Sequence, residues 1–448
     1  MGRLFGTDGA RGVANKELTC ELAMNIGRAA AYVLSNEKVA RPKILIGKDT
    51  RASSTMLESA LCAGLCSVGA DAVLVGYVPT PAVACLVNKT GADAGIMISA
   101  SHNPCEYNGI KLFNEQGFKL SDSIEEQIEA LVLDDSSPIT YPTGGDVGSV
   151  FIREDYIDLY IKHLLSTTDV SLEGVKIAID CSNGSASYTA QKLFEGLGAT
   201  CFMMHNDPNG TNINSECGST HMDDLIDYVN GHEVDLGLAF DGDADRCLAV
   251  DEMGRLIDGD KLIALFAKDL KDRNKLKNNT AVVTVMTNIG FKMFAKENDI
   301  DVSVTGVGDR YVLENMLEND YMIGGEQSGH IIFKEYATTG DGQLTGVQLA
   351  SSMVRTKKAA SELASVMESL PQTLINVKVT NEVKAILKTD TDILNIIKEQ
   401  EDILKDSGRV LVRASGTEPL VRVMIEGKNI KEITNMAKKI AAVIESKI

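Results

Sequence analysis

Short apolar runs that stop abruptly in polar loops recur along this chain, and they recur in a fixed order. Residues 43–46 read as a strand, followed by a polar loop, an amphipathic helix from about Ser54 to Gly69 and a second strand at 72–75. The same order returns at 176–179, with a loop at 181–184, a helix ending near Gly198 and a strand at 200–204. It returns again at 281–285, with a loop at 288–290, a helix ending near Glu297 and a strand at 302–305. Strand, helix and strand in alternation predict parallel α/β units with right-handed crossovers. Each unit then runs through a second helix to a further apolar segment, 95–98, 234–240 or 321–323, that ends in a polar loop. Ligands of open parallel sheets bind at the carboxyl ends of strands, so three equivalent units offer three functional loops in equivalent places.

From about Pro371 the rhythm changes. A strand at 376–379, an amphipathic helix through Ile393 and Ile397, strands at 409–413 and 421–425 and a closing helix from Ile430 predict a small α+β domain.

The loop after 234–240 carries Asp241, Asp243 and Asp245, followed by Arg246. Alternate residues of an extended segment point the same way, so the three carboxylates can converge on one hard divalent cation, with water or a phosphate oxygen completing the shell. With Glu252 they also fall at positions one, three, five and twelve of a calcium-binding helix-loop-helix. Position six of that loop must be glycine, and here it is Arg246; the flanks read as strands, which excludes it. A solvated acidic turn is the plainer alternative.

The loop after 95–98, Ser99-Ala-Ser-His-Asn-Pro104, puts Ser101 beside His102. It has no G-x-S-x-G elbow, and an adjacent histidine cannot easily turn back on its neighbour, so a serine-hydrolase reading fails. Phosphorylation of Ser101 would supply oxygens to complete the three-carboxylate site; a polar strand-end loop is the alternative. In the last domain, Ala414-Ser-Gly-Thr-Glu-Pro419 lies between Arg413 and Arg422. Such a set suits a phosphate dianion, and an ordinary hairpin turn suits it equally. Neither a dinucleotide fingerprint nor a P-loop occurs.

At 448 residues the chain is long enough for two to four domains. Its net charge of −19 argues against non-specific binding to nucleic acid or acidic membranes, so anionic ligands must meet local clusters of Arg and Lys. Nine cysteines without a C-x-x-C pair fit a reducing cytoplasm, and neither a signal sequence nor a membrane span is expected.

In combination these motifs resemble the α-D-phosphohexomutase superfamily over essentially the whole chain. They are Gly6-Thr-Asp-Gly-Ala-Arg-Gly12, the Ser101 loop, residues 241–246, Gly325-Glu-Gln-Ser-Gly-His330, and residues 413–419. The resemblance implies an α/β protein of three similar domains with mixed, mainly parallel sheets, 1–153, 154–254 and 255–369, plus a smaller α+β domain, 370–448, around a central cleft. It implies that Ser101 carries a transferable phosphoryl group and that Asp241, Asp243 and Asp245, with Ser101, hold one Mg²⁺ per chain. Arg11 and Arg246 become cations near the phosphoserine, and His102 and Lys111 groups for proton transfer and orientation. Glu326 and Ser328, with His330 nearby, become the sugar-hydroxyl loop. Arg413, Ser415, Gly416, Thr417 and Arg422 become the clamp on the non-transferring phosphate.

The implied reaction moves phosphate between O6 and O1 of a sugar, with a sugar bisphosphate as intermediate or primer. Two departures are visible: Cys105 stands where an aromatic residue is expected, and Asp309-Arg310 where hexose-specific relatives often carry histidine. The second, with Gln327, points to the glucosamine branch, whose product feeds cell-wall amino-sugar synthesis, over the glucose and mannose branches. A homodimer is implied by resemblance alone.

Overall fold

The computed structural model describes residues 3–6, 8–34, 41–134, 139–415 and 419–448, with only the backbone of Asp406. It divides into two compact units, Met1–Met286 with Ile300–Val366, and Thr287–Asp299 with Met367–Ile448.

Three sheets in the first unit share one topology. In the first, Lys43–Lys48 runs parallel to Asp71–Tyr77 on one side and Ala94–Ile98 on the other, with Tyr107–Phe113 antiparallel beyond. In the second, Lys176–Asp180 lies between Thr200–Met204 and Leu236–Phe240, with Cys247–Asp251 antiparallel. The third repeats this with Thr280–Thr284, Asp301–Thr305, Ile323–Gly325 and the antiparallel Ile331–Phe333. Each sheet is therefore ordered second, first, third, fourth, and the predicted mixed, mainly parallel sheets are present. The third strands Ala94–Ile98 and Leu236–Phe240 are buried at every position, as expected of strands covered on both faces. Ala10–Val13 extends the first sheet by pairing antiparallel with Tyr107–Phe113, which brings the first glycine motif beside the fourth strand.

The predicted elements are displaced by a few residues. The first crossover helix is Ala52–Ser67 rather than 54–69, because Arg51 is already extended at its N-cap and its side chain is used elsewhere. That helix packs on Cys20–Leu34 through glycines. A Cβ on Gly64 would stand 2.2 Å from the Met24 carbonyl oxygen, and one on Gly27 would stand 2.9 Å from that of Leu61.

In the second unit, Leu420–Gly427 is the centre of a three-stranded antiparallel sheet between Gln372–Lys378 and Gly408–Ala414. Helices Thr391–Leu404 and Ile430–Glu445 bring Ile393, Ile433 and Ile440 into the same core as Val421, Val423 and Ile425. Helix Ile289–Glu297, which joins two strands of the third sheet, belongs to this unit. Asn288 at its N-cap exchanges two hydrogen bonds with the Leu370 backbone, both 3.0 Å, and the Ile289 N–H donates to Glu426 Oε2 at 3.0 Å. All nine cysteines are free thiols. Among the described residues no helix is long and apolar enough to cross a membrane.

Gly64→Ala should destabilise the protein by about 1–3 kcal/mol, because the added methyl meets backbone rather than a movable side chain. Thermal melting should show a lowered Tm, with turnover at low temperature kept; an unchanged Tm would mean that the two helices separate freely.

Candidate active site

The three predicted loops occupy the same place in their domains, between the third and fourth strands, and they meet within the first unit. The metal loop is fastened from both neighbours. The Thr80 N–H, opening helix Thr80–Thr90 of the first domain, donates to the Asp243 carbonyl at 2.9 Å. The Gly342 N–H, opening helix Gly342–Thr356 of the third, donates to the Ala244 carbonyl at 3.0 Å. Both bonds use N–H groups that a helix N-terminus leaves without intrahelical partners.

Ser101 is buried in the left-handed region, with φ of +53°. Its Oγ donates to Asp241 Oδ2 at 2.6 Å, and its N–H donates to Ser99 Oγ at 2.9 Å. The strained turn is held by groups that sequence reasoning missed. Arg51, 1% exposed, pairs with Asp49 and donates to the carbonyls of Ser101 at 3.1 Å and Asn103 at 2.5 Å. Asn214 of the second domain donates to the same two carbonyls at 2.9 and 3.1 Å. An αL residue other than glycine costs roughly 1–3 kcal/mol and persists where its surroundings over-determine it.

Asp241, Asp243 and Asp245 are buried, and one oxygen from each lies within 4.8 Å of the others. They converge through a turn rather than through an extended run. Ala244 takes a φ of +52° and its N–H donates to the Asp241 carbonyl at 3.0 Å. The donor set fits a hard cation: Asp243 Oδ1 is buried without a hydrogen-bond partner among the described residues. Burial first, then the charges of Asp245 and Asp243, push the Asp241 carboxyl up to about 8.

The surrounding cations are those expected, with additions. Lys111 is 1% exposed; its Nζ lies 2.8 Å from Asp243, 3.1 Å from Asp8 and 3.3 Å from Asp245. Burial works against its charge, but the carboxylates of Asp243, Asp8 and Asp245 outweigh it and raise its pKa. Arg11 pairs with Asp8, which also accepts from Lys119 at 2.6 Å. The Arg246 N–H donates to Asp241 Oδ1 at 3.2 Å. Its guanidinium, which can only donate, gives a bond to His102 Nδ1 at 3.1 Å, so the ring proton is on Nε2. Burial, Arg246 and Arg11 lower the His102 pKa to about 4, so the ring is neutral.

His330 Nε2 accepts from the Gly340 N–H at 3.0 Å, which leaves Nδ1, 3.6 Å from Asp245 Oδ1, to carry the proton. Glu326 Oε1 accepts from the Gly308 N–H at 3.1 Å, while Ser328 is exposed. The 325–330 loop is itself tied to the second domain by the Cys247 N–H, which donates to the Gly329 carbonyl at 3.1 Å.

In the second unit Arg413 and Arg422 are direct cross-strand partners. Like charges opposite one another destabilise an antiparallel pair unless an anion shares them. Burial and Arg422 both lower the Arg413 pKa. Ser415 is buried, and its carbonyl accepts from Lys384 Nζ at 2.8 Å. Gly416 and Thr417 lie outside the described residues. Of the groups missed, Asp8 had a signal, being inside the first glycine motif. Arg51, Thr80, Lys119 and Asn214 follow no sequence pattern.

A buried serine hydroxyl thus lies beside a carboxylate triad able to hold a divalent cation, on three α/β domains of one topology. Residues 2–138, 154–254, 258–370 and 374–443 match, in turn, the alpha/beta/alpha domains I, II and III and the C-terminal domain of phosphoglucomutase/phosphomannomutase. The chain belongs to this family. The phosphoglucosamine mutase of Clostridium novyi is 55% identical to it over 100% of this chain and 99% of that protein. That of Clostridium beijerinckii is 54% identical over 100% of both. The crystal structure of a phosphoglucomutase/phosphomannomutase family protein from Burkholderia thailandensis matches with a TM-score of 0.79. It is 25% identical and covers 98% of this chain and 97% of that one.

Because burial and the neighbouring Asp245 and Asp243 push the Asp241 carboxyl up to about 8, binding a divalent cation should release a proton, and affinity should rise with pH until the carboxyl ionises. Calorimetric titration should show about a tenfold gain per pH unit between pH 6 and 7. Affinity independent of pH would show that Asp241 is already ionised.

Proposed function

We propose that this chain interconverts glucosamine 6-phosphate and glucosamine 1-phosphate, with Ser101 carrying the phosphoryl group that is exchanged. The observation that carries this reading is the hydrogen bond of 2.6 Å from Ser101 Oγ to Asp241, inside a triad flanked by Lys111, Arg246 and His102. Full-length identity of 54 and 55% to phosphoglucosamine mutases supports the choice of sugar.

In the first half-reaction a sugar hydroxyl oxygen forms a bond to the phosphorus held on Ser101, and the bond from phosphorus to Oγ breaks. The hydroxyl proton ends on Oγ, so charge and atoms balance. The resulting bisphosphate turns round and returns its other phosphoryl group to Ser101 by the same step reversed. Phosphoryl transfer asks a protein mainly for positioning and charge stabilisation. Mg²⁺, held by Asp241, Asp243 and Asp245, would neutralise charge on the transferring group. Lys111 and the Arg11 and Arg246 guanidiniums supply fixed positive charge beside it. Neutral His102 orients Arg246 through Nδ1.

Glu326 is read as the acceptor for sugar hydroxyls, with Ser328 and His330 on the same loop. Arg413, Ser415 and Arg422 are read as the phosphate-binding element of the second unit. By resemblance the enzyme is a homodimer, and nine free thiols suit the cytoplasm.

A coupled assay on glucosamine, glucose and mannose phosphates should show a clear preference for the amino sugar; preference for a neutral hexose would sink that assignment. Ser101→Ala should lower turnover by about 10³-fold or more and leave the Tm unchanged. Intact-mass spectrometry should find a phosphate increment on the parent and none on the variant. Near-normal turnover of the variant would refute a phosphoserine route.

A further inference from the structure

Helix Asp309–Glu318 of the third domain opens with two charged residues that both reach into the first domain. The Arg310 side chain is 13% exposed. It pairs with Asp122 and donates to the Leu120 carbonyl at 3.0 Å and to Glu125 Oε2 at 2.8 Å. Asp309 pairs with Lys119, whose Nζ also donates to Asp8. These partners lie on, or just before, helix Asp122–Leu133, except Asp8, which belongs to the glycine motif beside the reaction centre. On the other side of the pair, Gly308 takes a φ of +131° and gives its N–H to Glu326 Oε1 at 3.1 Å. A continuous set of bonds thus runs from the first domain, which carries Ser101, through Arg310 and Gly308 to the Glu326 carboxylate.

We propose that Arg310 is a positioning residue for the sugar: by anchoring the turn before helix Asp309–Glu318 to the first domain, it sets where Glu326 meets the sugar hydroxyls relative to Ser101. This rests on the reading of Glu326 as a sugar contact. A planar guanidinium suits the task because it serves three acceptors in different directions at once. An ammonium at the same place reaches fewer of them. Without the anchor Gly308, whose conformation side chains rarely adopt, loses the restraint that aims its N–H at Glu326. The sugar then meets a carboxylate in several positions and binds less well, while the phosphoserine loop and the triad, held by other residues, keep their geometry.

The test is a double-mutant cycle on Arg310 and Glu326, read by steady-state kinetics with glucosamine 6-phosphate. Arg310→Ala should raise KM by about tenfold with kcat changed by less than about threefold, and Arg310→Lys should fall between it and the parent. KM does not depend on the fraction of molecules that fold, so a merely structural loss would lower apparent kcat instead. The phosphate content of Ser101 should stay the same. Arg310→Ala added to Glu326→Ala should change KM little further, because the first acts through the second. Fully additive effects, or a fall in kcat with KM unchanged, would overturn the proposal. If Glu326→Ala alone leaves KM and sugar preference as they were, Glu326 is not the sugar contact. That failure is read without any Arg310 variant, and the proposal falls with it.

Discussion

Three carboxylates confined within 4.8 Å and removed from water are the constraint around which the first unit is arranged. With all three ionised, each pair at about 4 Å and an effective dielectric of about 20 would repel by about 4 kcal/mol, comparable to a large share of a domain's net stability. Lys111 between Asp243 and Asp245, the Arg246 N–H on Asp241 and the raised Asp241 pKa are all responses to that repulsion. A divalent cation bound among the three would relieve it more completely. The arrangement is unfavourable without a ligand and becomes favourable when charge of the right sign and place arrives.

Repetition of one topology makes the confinement possible. A parallel sheet of order second, first, third, with an antiparallel fourth strand, leaves one loop at the carboxyl end of its third strand. Three such sheets supply the Ser101 loop, the 241–246 carboxylate loop and the 325–330 loop without any domain having to provide all three. Backbone N–H groups of Thr80 and Gly342, at helix N-termini of the neighbouring domains, then hold the 241–246 loop, and that of Cys247 holds the 325–330 loop. Close backbone approach is visible in the glycines: a Cβ on Gly342 would stand 2.3 Å from the Arg246 carbonyl oxygen, and one on Gly242 would stand 2.6 Å from that of Ser101. Neither position leaves room for a side chain.

The architecture was legible because strands buried on both faces are written as unbroken apolar runs, and the reacting groups sit where those runs end. Ser101, the three aspartates, Arg246 and Lys111 are brought together as their motifs implied. What could not be read was the direction of long-range support. Arg51 follows a strand in the first domain, yet its meaning lies in two carbonyls of residues 101 and 103; Asn214 reaches the same carbonyls from the second domain. Such roles depend on tertiary placement, for which neither periodicity nor spacing carries a signal. The triad itself was read correctly as a cluster but for an imperfect reason, since a turn at Ala244 rather than strand alternation gathers it.

The bonds that Thr80 and Gly342 make to the metal loop have a thermodynamic consequence. The loop is held by helices from both neighbouring domains, so cation binding at the triad and docking of the three domains would be thermodynamically linked. By linkage, whatever loosens the docking weakens the cation, and the cation in turn resists the loosening. A cation bound at the triad would thereby also report on tertiary integrity, because α/β domains that part would leave the 241–246 loop without the helix N-termini that hold it.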